Sequence, residues 1–327
     1  MDKKKVNSIQ KAYAFWNNNE DIIKKSSSGG AFSSVAEYFL ENHGVVYGAM
    51  FDENFNVVID RIEKKSELYK LRGSKYVRAN SNDFLAKVKN DLLCKKLVLF
   101  SGTPCQVFLL KKYLKQDFDN LFCIDIICHG TPTPKIFKKY VNYLEKKFNS
   151  KIIEFYFRYK KEDDTSYIRV KFENNNVFEE PFSPKVNMYA KIFYSNIALM
   201  KGCTKCCFNN LDREGDITIG DFWGIQYFKN IVPNKYGNSL VIVNTKKGKE
   251  FLKKIEDKSN KIEVKLKDVV KYNPPLYEHT ISNPLSSIFY KLIDNCNFVI
   301  LYFAFLKILP IMILPYRIMR KLKRKVL

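Results

Sequence analysis

Four of the eight cysteines stand where a sulfur could do chemistry. Cys203 and Cys206 form the C-x-x-C turn "CTKC", which points two sulfurs inward over one turn. That is the bite needed to chelate one metal ion or one edge of an iron–sulfur cube. Cys105 follows "FSGTP", where a hydrophobic strand stops at a glycine and a helix begins. Thr103 suits the cap of that helix and Pro104 its first position, where an N–H has no partner in any case. Cys105 then sits among unpaired backbone N–H groups at the positive end of the helix dipole, a setting that favours a thiolate. Its bland reading is a small buried side chain. Cys128 ends a second such strand, "LFCIDIIC", ahead of the turn "HGTPTP". Together these residues offer four soft ligands, and a structural zinc would use the same set. Cys207 is adjacent and could replace one of them, while Cys94, Cys123 and Cys296 lie in apolar stretches and read as packing residues. His129, next to Cys128, either relays a proton and tunes the neighbouring centre or only caps the following turn.

Two successive strand-turn-helix units carry the single cysteines. The second has Thr133 as cap and Pro134 at the first helical position of "PKIFKKYVNYLEKKF". Such repetition predicts a parallel sheet with crossover helices, and open α/β sheets place ligands beyond the carboxyl ends of their strands. Cys105 and Cys128 therefore belong on one rim. Upstream, the pattern predicts a strand over 11–16, a helix from Ala31 to Glu41, a hairpin of "VVYGAMF" and "NVVIDRI", a turn and strand in "LRGSKYVRA", and a helix opened by Ser81. From about 152 to 182 alternation predicts an antiparallel meander. A helix through "NMYAKIFYS" follows, and "SLVIVNT" with "KKGKEFLKKIEDK" forms one more strand-helix pair. The fold class expected is mixed α/β: a central, largely parallel sheet with crossover helices, an antiparallel insertion and a helical C-terminal end.

The chain has 327 residues, 46% apolar and 15% aromatic, which is a globular composition. Fifty-six Lys and Arg against 34 Asp and Glu give a net charge of +22, so an acidic partner is in question. No zinc-finger spacing and no single-strand-binding aromatic motif occurs, and the basic residues are spread through helices, so nucleic acid is set aside. The N-terminal "MDKKKVNSIQKAY" has no apolar stretch after its charges, so no secretory signal is expected and the thiols read as reduced and cytoplasmic.

"SSSGGAF", "GSKYV", "FSGTPCQVFLLKKYL", "DIICHGTPTP" and "GDITIGDFWGI", in that order and with C-x-x-C before the last, resemble the beta-subunit family of coenzyme F420 hydrogenases and dehydrogenases over about residues 12–226. The resemblance implies a 4Fe-4S cluster on Cys105, Cys128, Cys203 and Cys206 beside FAD, in an oxidoreductase passing electrons between iron–sulfur centres and a hydride carrier or organic acceptor. It further implies cofactor contacts from Ser27, Ser28, Gly29, Gly30, Gly73, Ser74, Lys75 and Tyr76. Others would come from Ser101, Gly102, Thr103, Pro104, Gln106, Asp221 and Trp223, with His129 and Lys75 as candidate catalytic groups. The physical side of this is that FAD needs backbone N–H groups near its pyrophosphate and a cation near the ring edge that becomes anionic. "SSSGG" ahead of a helix supplies the first and Lys75 in "GSKY" the second; their bland readings are a surface turn and an exposed strand-edge charge. Asp221, with Phe222 and Trp223, lines the flavin or closes the core. No G-x-G-x-x-G occurs, so the flavin would be held in another manner.

Many members of the family begin with a ferredoxin-like segment, and nothing of that kind precedes "KAYAFW". A separate ferredoxin or other electron-transfer protein is therefore expected as a partner. Bacterial members often occur in settings of cell-surface polysaccharide synthesis, which makes a small or sugar-linked acceptor conceivable. The division expected is a cofactor domain over 1–226, a strand-helix part over 227–296 and an apolar, basic segment over 297–327. In that last segment Pro310 and Pro315 argue against a regular membrane span. Either it lies on an anionic membrane at the inner face, with the cluster from Arg317 to Lys325 on headgroups, or it packs on the protein's own core ahead of a solvated basic tail. A plainer alternative for the whole chain is a non-catalytic, zinc-stapled α/β protein that binds a partner at such a membrane.

Overall fold

The computed structural model describes residues 9–308 other than 82, 163 and 164. Its strands are β1 (Lys11–Asn17), β2 (Val45–Phe51), β3 (Val57–Ile62), β4 (Val98–Gly102), β5 (Leu121–Ile126), β6 (Ile152–Lys160), β7 (Ser166–Phe172), β8 (Val177–Pro181), β9 (Ile217–Asp221), β10 (Ser239–Val243) and β11 (Ser259–Val264). Eight of them form one sheet in the order β11-β1-β10-β9-β5-β4-β2-β3. The centre is parallel, through the β2–β4, β4–β5 and β5–β9 pairs, and both edges are antiparallel. Parallel strands need helical crossovers that cover the sheet faces, which is why "LFCIDI" reads as an almost unbroken apolar run. The helix Pro104–Leu114 makes the crossover from β4 to β5, and Pro134–Phe148 begins the longer one from β5 to β9.

This order fixes a functional edge. The parallel strands β2, β4, β5 and β9 all end on it. β1 is antiparallel to β10, which is antiparallel to β9, so β1 ends there too. The segments after β1, β4, β5 and β9 carry Ser26 to Gly30, Cys105 in the first turn of a helix, Cys128 and Trp223.

The sheet β6–β7–β8 is the expected meander. Phe155, Phe157, Ile168, Val170 and Phe172 turn one of its faces into the core, against Phe137 and Tyr140 of the helix Pro134–Phe148. Each such side chain contributes about 1.5–3 kcal/mol by leaving water, and ring pairs such as Phe137–Phe155 at 5.1 Å, edge to face, fix how the layers seat. The stretch 227–296 supplies β10 and β11 to the main sheet.

Three local expectations are corrected. "GSKYVRA" forms no strand and follows an irregular path, with only an isolated bridge between Val58 and Asn80. Ser81 does not open the next helix, which spans Phe84–Leu93 behind Asp83, because its hydroxyl donates back to the Ala79 carbonyl. Cys94 is exposed, since it follows the last turn of that helix. At the C-terminal end Phe298, Leu301, Tyr302, Phe305 and Leu306 are buried in the main core, with Phe298 and Tyr140 ring centroids 5.0 Å apart. That stretch packs on the protein itself. The proposed headgroup cluster from Arg317 to Lys325 lies outside the described residues. Among the described residues no helix is long and apolar enough to cross a membrane.

One buried carboxylate ties the far edge of the sheet together. Asp91 accepts from Tyr47 Oη and Arg61 Nη1, both at 2.5 Å, and pairs with Lys96 at 3.3 Å. Burial pushes its pKa up, but the bonds from Arg61, Tyr47 and Lys96 outweigh that and hold it below the ordinary value. A depressed carboxylate contributes stability above the unfolded pKa of about 4 and loses it as pH falls through the native value. Asp91→Asn is therefore expected to cost about 2 kcal/mol at neutral pH and to flatten the acid limb of the stability profile, as read by urea unfolding at several pH values.

Candidate functional site

Cys105, Cys128, Cys203 and Cys206 line one cavity at the edge just described, together with Arg78, Thr103, Pro104, Gly130, Thr131, Phe208 and Asn209. Thr103 and Pro104 start the helix as the sequence requires. Gln106 Oε1 accepts from the Thr103 N–H at 2.9 Å, and the Thr103 hydroxyl lies 3.1 Å from Cys105 Sγ. Arg78 Nη1 donates to the same sulfur at 3.4 Å. Cys203 sits on a tight turn, Lys201–Lys205, and Cys206 directly follows it, with Thr131 Oγ1 3.8 Å from Cys203 Sγ. Burial, then the nearby Cys203, Cys105 and Cys206, pushes the Cys128 thiol up to about 12. Burial also raises Cys206. Thiols so raised bind a cation by releasing protons.

The walls are held from behind. Asp125 of β5, three residues before Cys128, is fully buried. It accepts from Arg213 Nη2 at 2.7 Å and from the N–H groups of Glu214 and Gly215 at 2.9 and 2.8 Å. That pins the chain leaving the C-x-x-C turn to the strand that delivers Cys128. Asn209 Nδ2 adds bonds to the Cys128 carbonyl at 3.0 Å and the Pro275 carbonyl at 2.9 Å. Gly130 has φ +125°, and a Cβ there would lie 3.2 Å from Cys203 Cβ, so a side chain would crowd the cavity wall. Among the described residues no three His, Cys, Asp or Glu side chains stand close enough to hold a single metal ion. The donor set, four thiols without a carboxylate, suits an iron–sulfur cluster.

Both ring nitrogens of His129 have partners. Its Nε2 is 2.8 Å from Asn196 Oδ1 and its Nδ1 3.3 Å from Thr280 Oγ1, with Phe193 packed 5.4 Å from the ring. These contacts orient the residue after Cys128. Cys207 is exposed and outside the cavity lining, whereas Cys123 is buried in the core as expected of a packing residue.

The other predicted residues gather further along the edge. Ser27 Oγ accepts from the N–H and hydroxyl of Ser74, joining "SSSGG" to "GSKY". Ser28 Oγ lies 2.8 Å from Ser239 Oγ at the start of β10. Gly29 is fitted so closely that a Cβ would fall 2.3 Å from the Phe15 carbonyl oxygen. Gly30 has φ +87°, and among the described residues the N–H groups of Ser27, Ser28, Gly29 and Gly30 donate to no protein acceptor. Amides without a protein partner ahead of the helix Ala31–Glu41 are of the kind that can receive an anion. Lys75 is neither exposed nor on a strand edge: it is half-buried and donates to the carbonyls of Arg72 and Lys70 at 2.8 and 2.9 Å, and burial pushes it down to about 7. Ser101 and Gly102 end β4 on the cysteine side.

Two residues that sequence reading missed bind the small sheet to this edge. Arg158 of β6 pairs with Asp221 Oδ2 at 2.5 Å, so Asp221 is engaged by a cation, while Phe222 closes the core and Trp223 is 57% exposed. Lys160, also on β6, donates to the carbonyls of Ile23, Ser28 and Tyr236. Tyr76 packs between Phe182 and Phe193, each 4.8 Å away by ring centroid.

With this arrangement in view, the sequence matches two family models of the coenzyme F420 hydrogenase/dehydrogenase beta subunit, one for its N-terminal part over residues 12–86 and one for its C-terminal part over 95–269. The chain belongs to this family. The match runs past residue 226, where the recognisable motifs end, and it points to an oxidoreductase of that kind. Among solved structures it resembles a chain of the F420-reducing NiFe hydrogenase complex from Methanosarcina barkeri, at 18% identity and a TM-score of 0.51, covering 80% of this chain and 89% of that one. That likeness concerns the fold. No curated protein matches the sequence.

The Asp125–Arg213 pair has side chains 0% and 1% exposed. Removing one partner of such a pair costs about 3–5 kcal/mol. Asp125→Ala is expected to lower the urea midpoint accordingly, and Arg213→Met to cost less because Asp125 keeps its two backbone donors.

Proposed function

We propose that this protein is an iron–sulfur flavoprotein oxidoreductase in which Cys105, Cys128, Cys203 and Cys206 hold a 4Fe-4S cluster and the neighbouring edge holds FAD. The observation that carries the reading is the convergence of four cysteines, from three separated segments, on one cavity at the carboxyl edge of the parallel strands. A cluster exchanges electrons singly and a flavin in ones or twos, so the pair would convert single electrons into a hydride equivalent for an organic or sugar-linked acceptor.

The chain's own residues supply the rest. Arg78 and the Thr103 hydroxyl offer donors to Cys105, which stabilises negative charge on that sulfur. The amides of Ser27 to Gly30 would take the pyrophosphate, and Lys160 takes up the Ser28 carbonyl of that loop. Arg158 keeps Asp221 in place beside Tyr76. The electron donor in this reading is a ferredoxin or similar protein at the cytoplasmic side.

Anaerobic purification with iron, sulfide and flavin analysis tests it. The expected protein is brown, absorbs broadly near about 400 nm and releases flavin on heating, and Cys203→Ser is expected to lose most of its iron. A colourless protein with one zinc per chain would contradict the reading, as would an iron content unchanged by Cys203→Ser.

A further inference from the structure

The helix that begins at Pro104 and carries Cys105 leaves part of its outer face uncovered. Phe108 and Leu109 are 41% and 38% exposed. Phe108 packs 5.2 Å by ring centroid from Phe208, which itself lines the cysteine cavity, so this apolar patch is continuous with the cavity wall. Lys112 lies over the Phe108 ring at 6.0 Å. The C-x-x-C turn, which also lines the cavity, presents Lys201 and Lys205 to solvent. No Asp or Glu occurs between residues 104 and 115 or between 201 and 211, while those stretches hold Lys111, Lys112, Lys115, Lys201 and Lys205. Asp117 and Asp212 are the first acidic residues beyond the two stretches. Basic residues around a small apolar centre are the composition of a surface that steers and seats an acidic partner.

We propose that this surface, Phe108 and Leu109 with Lys112 beside them and the exposed Lys201 and Lys205 of the C-x-x-C turn, docks an acidic iron–sulfur protein of the ferredoxin type. The inference rests on the cluster reading above. Docking there sets the partner's metal centre against the wall of the cavity that the four sulfurs line. One electron leaves the reduced partner and one arrives at the cysteine centre; no bond forms or breaks and no proton is required.

The test measures complex formation between the full chain, purified anaerobically with its cofactors, and a bacterial two-cluster ferredoxin by isothermal titration at low and high salt. Binding is expected at low salt and is expected to weaken as salt rises. Lys112→Glu with Lys201→Glu should raise the Kd by about tenfold or more, Phe108→Ser should raise it without changing its salt dependence, and Lys151→Glu, beside the small sheet, should leave it unchanged. Wild-type protein that fails to bind, or charge-reversed protein that binds as well as wild type, overturns the proposal. So does a self-associating chain whose dimer is broken by Phe108→Ser, because the surface would then belong to a second copy. Iron content and direct reduction by dithionite separate the two levels: a protein without iron refutes the cluster reading, whereas a protein with full iron and unaltered binding in the variants refutes only the docking surface.

Discussion

The buried Asp125 carboxylate decides where the cysteines can be. It sits on a central parallel strand and receives a guanidinium and two backbone N–H groups from residues 213–215, some ninety positions away in the chain. A buried charge without partners is strongly disfavoured, so the strand and the returning segment are locked in one register. Cys128 continues from the strand, and Cys203 and Cys206 precede the segment. The same contact that satisfies Asp125 thus draws sulfurs from distant stretches towards one place, and the helix cap at Thr103 brings Cys105 to it from the neighbouring strand.

The second constraint is the small antiparallel sheet. Its aromatic face completes the core beside the helix Pro134–Phe148, and Arg158 and Lys160, at the end of β6, extend over the edge of the large sheet. Arg158 takes up Asp221, and Lys160 gathers three carbonyls. One of those oxygens is that of Ser28, in the loop whose N–H groups have no protein acceptor among the described residues. An insertion within the long crossover from β5 to β9 therefore reaches the loop of Ser27 to Gly30, although neither cation belongs to a recognisable motif.

What could be read from the sequence was what local chemistry determines. Thr103 and Pro104 announce a helix start, "LFCIDIIC" announces a covered parallel strand, and the order of five motifs with C-x-x-C announces the family. The parallel centre, the meander and the shared rim followed from these. Contacts across long sequence separations left no local signal: nothing near Asp125 names Arg213, and nothing near Asp221 names Arg158. "GSKYV" has strand-like composition, yet this segment follows an irregular path and the Lys75 ammonium donates to the carbonyls of Lys70 and Arg72. Cys94 looked apolar because its neighbours Leu92 and Leu93 are, while the helix ends at Leu93 and turns it outward. For the C-terminal apolar stretch, composition could not separate a membrane contact from a core contact; the rings of Tyr140 and Tyr143 against Phe298, with the burial of Leu301, Tyr302, Phe305 and Leu306, show a core contact for that face.

The central claim is that four separated sulfurs grip one inorganic centre next to a flavin. Electron paramagnetic resonance of the anaerobically reduced protein reaches it most directly. The account predicts the signal of one reduced 4Fe-4S cluster per chain, with the flavin radical signal relaxing faster when the cluster is reduced. A cluster signal absent from intact protein, or a flavin radical indifferent to the cluster's redox state, would contradict it.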